Sequence, residues 1–136
     1  MISFFGRAMR MYNAKRIRGL CHENRFDKAL KISRASLKDN PNSVAFNILN
    51  GDVLLFRHDF SGALASYLNA MELLDKNKKL SKRDRIFLSG YLNFRRLAID
   101  HKTGKQEFRH WNNISKQINQ LPASEHLKTL FTLPEG

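Results

Sequence analysis

A single cysteine, Cys21, stands in 136 residues. That excludes an intramolecular disulfide and any multi-cysteine zinc site, and it points to a reducing compartment. With only His22 beside it, the thiol reads as a small buried apolar group and not as a nucleophile. Three prolines and seven glycines are too few for a linker, so one domain spans residues 1–136. No apolar run approaches the ~20 residues that cross a bilayer. Also missing are a glycine-rich phosphate loop, a cysteine pair, and the HExxH, GxSxG and DxDxDG patterns. His22, His58, His101, His110 and His126 are scattered without ligand spacing. The expectation is a chain that is not an enzyme, with no cofactor, no metal and no small-molecule substrate.

Acidic residues are scarce too, and unevenly so. Lys and Arg number 24 against 12 Asp and Glu, a formal charge of +12. Residues 1–42 hold ten cations and three acids, residues 43–75 one and four, and residues 76–121 twelve and three. A faintly acidic middle therefore separates two basic ends, a distribution suited to acidic partners, nucleic acid or an anionic surface. No acid precedes Glu23, a composition shared with mitochondrial presequences, although serine is sparse there.

What is abundant is helical periodicity. Apolar residues recur at three- and four-residue steps, as in Phe46, Leu49, Val53 and Phe56, or Phe87, Tyr91, Phe94 and Ala98. Asn42 and Ser43 after Pro41, then Asp59 and Ser81, read as helix starts, and Thr103-Gly104 as a break. Helices are predicted near 3–23, 26–38, 43–57, 60–75, 82–101 and 104–119, with a short one near 123–131.

Sliding the chain by 34 residues superposes Asn13 on Asn47, Leu20 on Leu54, Phe26 on Phe60, Ala29 on Ala63 and Leu30 on Leu64. Tyr12 over Phe46 and Leu37 over Met71 are similar pairs. The repeated pattern is a helix, a tight turn, and a second helix with a small residue where helices approach closely. In NILNGDVLLFRHDFSGALASYLNAMEL, Gly51, Leu54, Ala63, Tyr67 and Ala70 occupy the places that give the strongest version. On these residues the chain resembles the tetratricopeptide repeat family, most closely over 43–75 and more loosely over 10–120. Pro41 stands at that family's terminating proline. Departures are Asn47 for the frequent Trp, Asn50 for Leu, Ile17 for a small residue and Ser33 for an aromatic one. The third unit is degenerate, with NKKLS lengthening its connection and more than one register open beyond Ser81.

The resemblance implies an all-α fold: a short right-handed α-solenoid of about three antiparallel helix pairs (3–38, 43–75 and 82–119) plus a C-terminal capping helix. It further implies a concave groove lined by the first helix of each pair. Carried over residue by residue, that groove holds Arg18, then Ile48, Asp52, Leu55 and Phe56, then Phe87, Tyr91, Phe94 and Arg95. Such a lining suits an apolar peptide or an amphipathic helix of another protein. The segment with Leu127, Leu130 and Phe131 could equally fill the groove from within the chain. A chaperone-tail clamp is not implied, because its places read Ala14, Arg18, Leu49, Asp84 and Leu88.

Two further surfaces stand out. Lys76, Lys78, Lys79, Lys82, Arg83, Arg85 and Arg96 form a basic patch for an acidic partner or, alternatively, for RNA phosphates. Ile2, Phe5, Met9 and Tyr12 share one face of a basic first helix that could lie on an anionic membrane. The repeat alignment assigns Tyr12 to internal packing, leaving residues 2–9 for that contact. The leading expectation is a protein-binding adaptor in the cytoplasm or another reducing compartment, with peripheral membrane or mitochondrial association as the alternative address.

Overall fold

A computed structural model describes residues 4–100. They form five α-helices and no strand: α1 (Phe4–His22), α2 (Phe26–Asp39), α3 (Val44–Phe56), α4 (Phe60–Lys76) and α5 (Lys82–Asp100). Each boundary lies within one residue of the predicted one. The expected helices over 104–119 and 123–131, the Thr103-Gly104 break, and the side chain of Phe94 lie outside the described residues.

The start signals act as caps. Ser43 Oγ accepts from the Phe46 amide at 3.2 Å, Asp59 Oδ1 from Gly62 at 3.0 Å, and Ser81 Oγ from Asp84 at 3.1 Å. Each meets one of the amides that a helix start leaves without an intrahelical acceptor.

The 34-residue period reappears in the backbone. After α1, Asn24 N–H donates to Cys21 O at 3.0 Å and Arg25 N–H to Leu20 O at 2.8 Å. After α3, His58 N–H donates to Leu55 O at 3.0 Å and Asp59 N–H to Leu54 O at 2.9 Å. Asn24 and His58 both take the left-handed conformation, with φ of 61° and 63°. This is the helix-terminating arrangement in which a left-handed residue lets the next amide reach back to an open carbonyl. The same turn thus joins α1 to α2 and α3 to α4.

Each helix packs on its successor, and α3 also touches α1 and α5. The centre of the core is therefore α3, in which every residue but the half-buried Ala45 is buried. Leu49, Val53 and Leu55 are fully enclosed, each worth roughly 1.5–3 kcal/mol relative to exposure.

Three departures from the family pattern make side-chain hydrogen bonds between helices. Ser33 Oγ on α2 donates to Asn50 Oδ1 at 3.0 Å, and Asn50 Nδ2 donates to Ser66 Oγ on α4 at 2.9 Å. Asn47 accepts from Asn69 Nδ2 at 2.8 Å and donates to Ser43 O at 2.8 Å. A hydrogen-bonded bridge across α2, α3 and α4 thus stands where larger apolar groups were expected, and its polar atoms meet one another as burial requires.

One expectation needs correction. Tyr12, aligned with the buried Phe46, is 59% exposed. The equivalent side of α3 packs within the domain, whereas α1 is the first described helix and has no described neighbour there.

Candidate functional site

Asp52 sits at the middle of α3 with apolar residues before and after it, and it is buried. A carboxylate in that position is stable only if its lone pairs are met by donors and its charge by a cation. Both conditions hold. Tyr67 from α4 donates its hydroxyl to Asp52 Oδ1 at 2.5 Å, and Tyr91 from α5 donates to Oδ2 at 2.6 Å. Arg95, one turn beyond Tyr91, brings Nε to 3.2 Å from Oδ1 and Nη2 to 3.4 Å from the Tyr91 oxygen. Its guanidinium carbon lies 5.1 Å from the Tyr91 ring centre and 5.9 Å from that of Phe56, within cation–π range. Phe56 in turn leans on Phe26 at the start of α2, with ring centres 6.0 Å apart. Arg18 and Cys21 on α1, both buried, complete the set.

The i, i+4 spacing of Tyr91 and Arg95 puts both on one face of α5. Tyr67 is aimed by close contact with α3: an added Cβ at Gly51 would lie 2.6 Å from its ring. The absence of a side chain at Gly51 thus lets the phenol reach the carboxylate.

Burial, followed by the nearby Asp52 charge, pushes the Cys21 thiol up to about 12, and Arg18 works against that rise. Burial also raises Tyr91 to about 12 and holds Tyr67 well above its ordinary value. At neutral pH the phenols are therefore donors and the thiol is protonated, a state suited to bracing helices and not to nucleophilic attack. The sign of the resulting pH dependence follows. These groups hold protons more tightly folded than unfolded, so they cost nothing below pH 9. As pH climbs from the ordinary thiol value of 9.0 through that of tyrosine at 10.0, the unfolded chain loses protons that the folded chain keeps. The urea midpoint is expected to stay flat up to about pH 9 and to fall steadily until about pH 12. A midpoint unchanged at pH 11 would contradict the buried assignment of these groups.

Of the predicted groove residues, Arg18, Ile48, Asp52, Leu55, Phe56, Phe87, Tyr91 and Arg95 lie on α1, α3 and α5, and all are buried in this structure. Of the basic patch, Lys78, Lys79, Lys82, Arg83 and Arg96 are exposed. Lys76, also exposed, pairs with Glu72 at 2.9 Å. Arg85 is turned inward to the end of α4, donating to Leu74 O at 2.7 Å and to Asn77 O. Tyr67 was absent from the predicted set. Its signal was Asp52 itself, a lone acid in an apolar helix that had to find donors on facing helices.

Among the described residues no three His, Cys, Asp or Glu side chains gather as metal ligands, and no helix is long and apolar enough to cross a membrane. No protein-family model matches the chain, and comparisons with curated proteins and with solved structures gave no match.

Proposed function

We propose that this chain is a non-catalytic interaction module, a short tetratricopeptide-like solenoid that holds another protein. The observation that supports it best is the recurrence, 34 residues apart, of the same left-handed turn with the same backbone hydrogen bonds. Stacked units of this kind hold an extended surface in place. The Asp52 network braces α3, α4 and α5 against one another, and docking falls to what stays exposed. The basic surface of Lys78, Lys79, Lys82, Arg83 and Arg96 suits an acidic protein.

Tagged protein purified at low salt is expected to retain a protein partner that high salt releases. Changing Lys78, Lys79 and Arg83 together to Glu should abolish retention without altering helicity by circular dichroism. Retention indifferent to both salt and charge reversal would exclude the basic surface.

A second reading has one observation in its favour. Met9 and Tyr12 are 44% and 59% exposed beside the exposed Lys15 and Arg16, on a helix with no acidic residue. That combination suits an anionic membrane surface. Co-sedimentation with phosphatidylserine vesicles, lost in Tyr12→Glu, would favour it over a protein partner.

A further inference from the structure

The connection from α4 to α5 is the longest between the described helices and the most cationic. It runs over residues 77–81 as Asn-Lys-Lys-Leu-Ser, whereas the other three connections have three or four residues. Its two ends are held in place. Arg85 donates to Leu74 O at 2.7 Å and to Asn77 O, and the Lys79 amide donates to Asn77 Oδ1 at 3.1 Å. Leu80 packs on the core. Lys78, Lys79 and Ser81 are left exposed.

Ser81 differs from every other described serine. Ser33 and Ser36 are buried, and Ser43, Ser66 and Ser89 are half-buried. Ser61 is exposed, but its hydroxyl donates at 3.5 Å to Asp59 Oδ1, an acid two residues before it. Ser81 instead has Lys78 and Lys79 three and two residues before it, with Lys82 and Arg83 directly after. Its Oγ accepts from the Asp84 amide at 3.1 Å. A hydroxyl oxygen has two lone pairs, so one stays open to an electrophile. Kinases choose among serines by the charges on the flanking chain, which the substrate groove must complement.

We propose that Ser81 is a phosphorylation site for a protein kinase with an acidic substrate groove, and that its phosphate switches off the basic surface around it. The Ser81 Oγ attacks the γ-phosphorus of ATP, the bond from that phosphorus to the bridging β,γ oxygen breaks, ADP departs, and the hydroxyl proton passes to the kinase's base. The product carries about −1.5 to −2 charges near pH 7 and so cancels about half the charge of Lys78, Lys79, Lys82 and Arg83. Those residues belong to the surface assigned above to an acidic protein, so this regulation rests on the interaction-module reading. The phosphate also stands at the start of α5. The Arg85 amide makes the first backbone bond of that helix, to Ser81 O at 3.0 Å, which leaves the amides of Lys82, Arg83 and Asp84 to a capping group. An anion there is favoured by the helix dipole, and the surrounding cations outweigh the opposing Asp84 carboxylate in the first turn.

The test treats the folded full chain with the catalytic subunit of cyclic-AMP-dependent protein kinase and ATP, and follows intact mass and peptide fragmentation. One added phosphate is expected on Ser81, and none there in Ser81→Ala. Replacing Lys78 and Lys79 by Ala leaves the cap intact and should slow incorporation about tenfold. The phosphorylated chain should melt about 4 °C higher, as an added anion at a helix start implies. Its binding to labelled polyglutamate at low salt, read by fluorescence anisotropy, should weaken about tenfold. Incorporation only after unfolding in urea, or at an equal rate without the two lysines, would overturn the site. Unchanged polyglutamate binding would overturn the switch, and an unchanged melting temperature would remove the phosphate from the start of α5. In co-purification from cells, phosphorylation should release the partner that low salt retains. If neither form retains a partner while the phosphate still weakens polyglutamate binding, the interaction-module reading fails and the modification site stands.

Discussion

Asp52→Ala is expected to destabilise the domain by about 3–5 kcal/mol, which is a large part of the stability of a small domain. The substitution removes a few atoms but disturbs three helices. Tyr67 and Tyr91 lose the acceptor of their hydroxyls, and the buried Arg95 guanidinium loses the carboxylate 3.2 Å away. Hydrogen bonds to a charged acceptor contribute more than neutral ones, and a buried cation deprived of its counter-charge retains its whole desolvation cost. Asp52→Asn keeps the shape and removes the charge, so it should fall between wild type and alanine. Equilibrium urea unfolding measures all three.

A second substitution separates the ion pair from mere packing. Replacing Arg95 by Met in the Asp52→Ala background removes the guanidinium whose charge the first change exposed. The double variant should recover part of the loss, with a coupling of about 1–3 kcal/mol. Additive losses would mean that the two side chains contribute independently, and the network would be reduced to neighbours that happen to touch.

The five described helices were legible in the sequence because their signals are local. Ser43, Asp59 and Ser81 announce their helices by chemistry within one turn, and the 34-residue repetition places Phe26 over Phe60 without any knowledge of packing. The candidate site was legible only in part, because its partners come from distant segments. The family resemblance gathered Asp52, Tyr91 and Arg95 into one expected groove, but Tyr67 lies on α4 and reaches Asp52 through the close approach at Gly51. Register also left open what covers a predicted groove, and burial of Ile48 and Leu55 is a property of the packed chain. Arg85 shows the same limit. In the sequence it is one cation in a cluster, and only the position of the α4 carboxyl end reveals its bonds to Leu74 O and Asn77 O. The Ser33–Asn50 pair was visible as two separate departures from a family pattern, and their compensation needed a third coordinate.

Gly51→Ala should be the second most damaging change, although alanine favours a helix over glycine by about 1 kcal/mol. The new Cβ would lie 2.6 Å from Tyr67 Cε1 and 2.8 Å from Cδ1, contacts closer than carbon atoms tolerate. An exposed tyrosine would swing aside. Tyr67 is almost wholly buried, with its hydroxyl held 2.5 Å from Asp52, so moving the ring lengthens that bond or shifts α4. Overpacking costs about 1–3 kcal/mol, and weakening a hydrogen bond to a charged group costs about 1.5–3 kcal/mol. Together these exceed the helix gain, and the net expectation is a loss of about 1.5–5 kcal/mol. The decisive control is the background Tyr67→Ala, where the ring is gone. There Gly51→Ala should change sign and stabilise by about 1 kcal/mol. If it is equally harmful in both backgrounds, the glycine is required by the backbone and not by the phenol, and the aim of Tyr67 at Asp52 must be set by something other than the approach of α3 to α4.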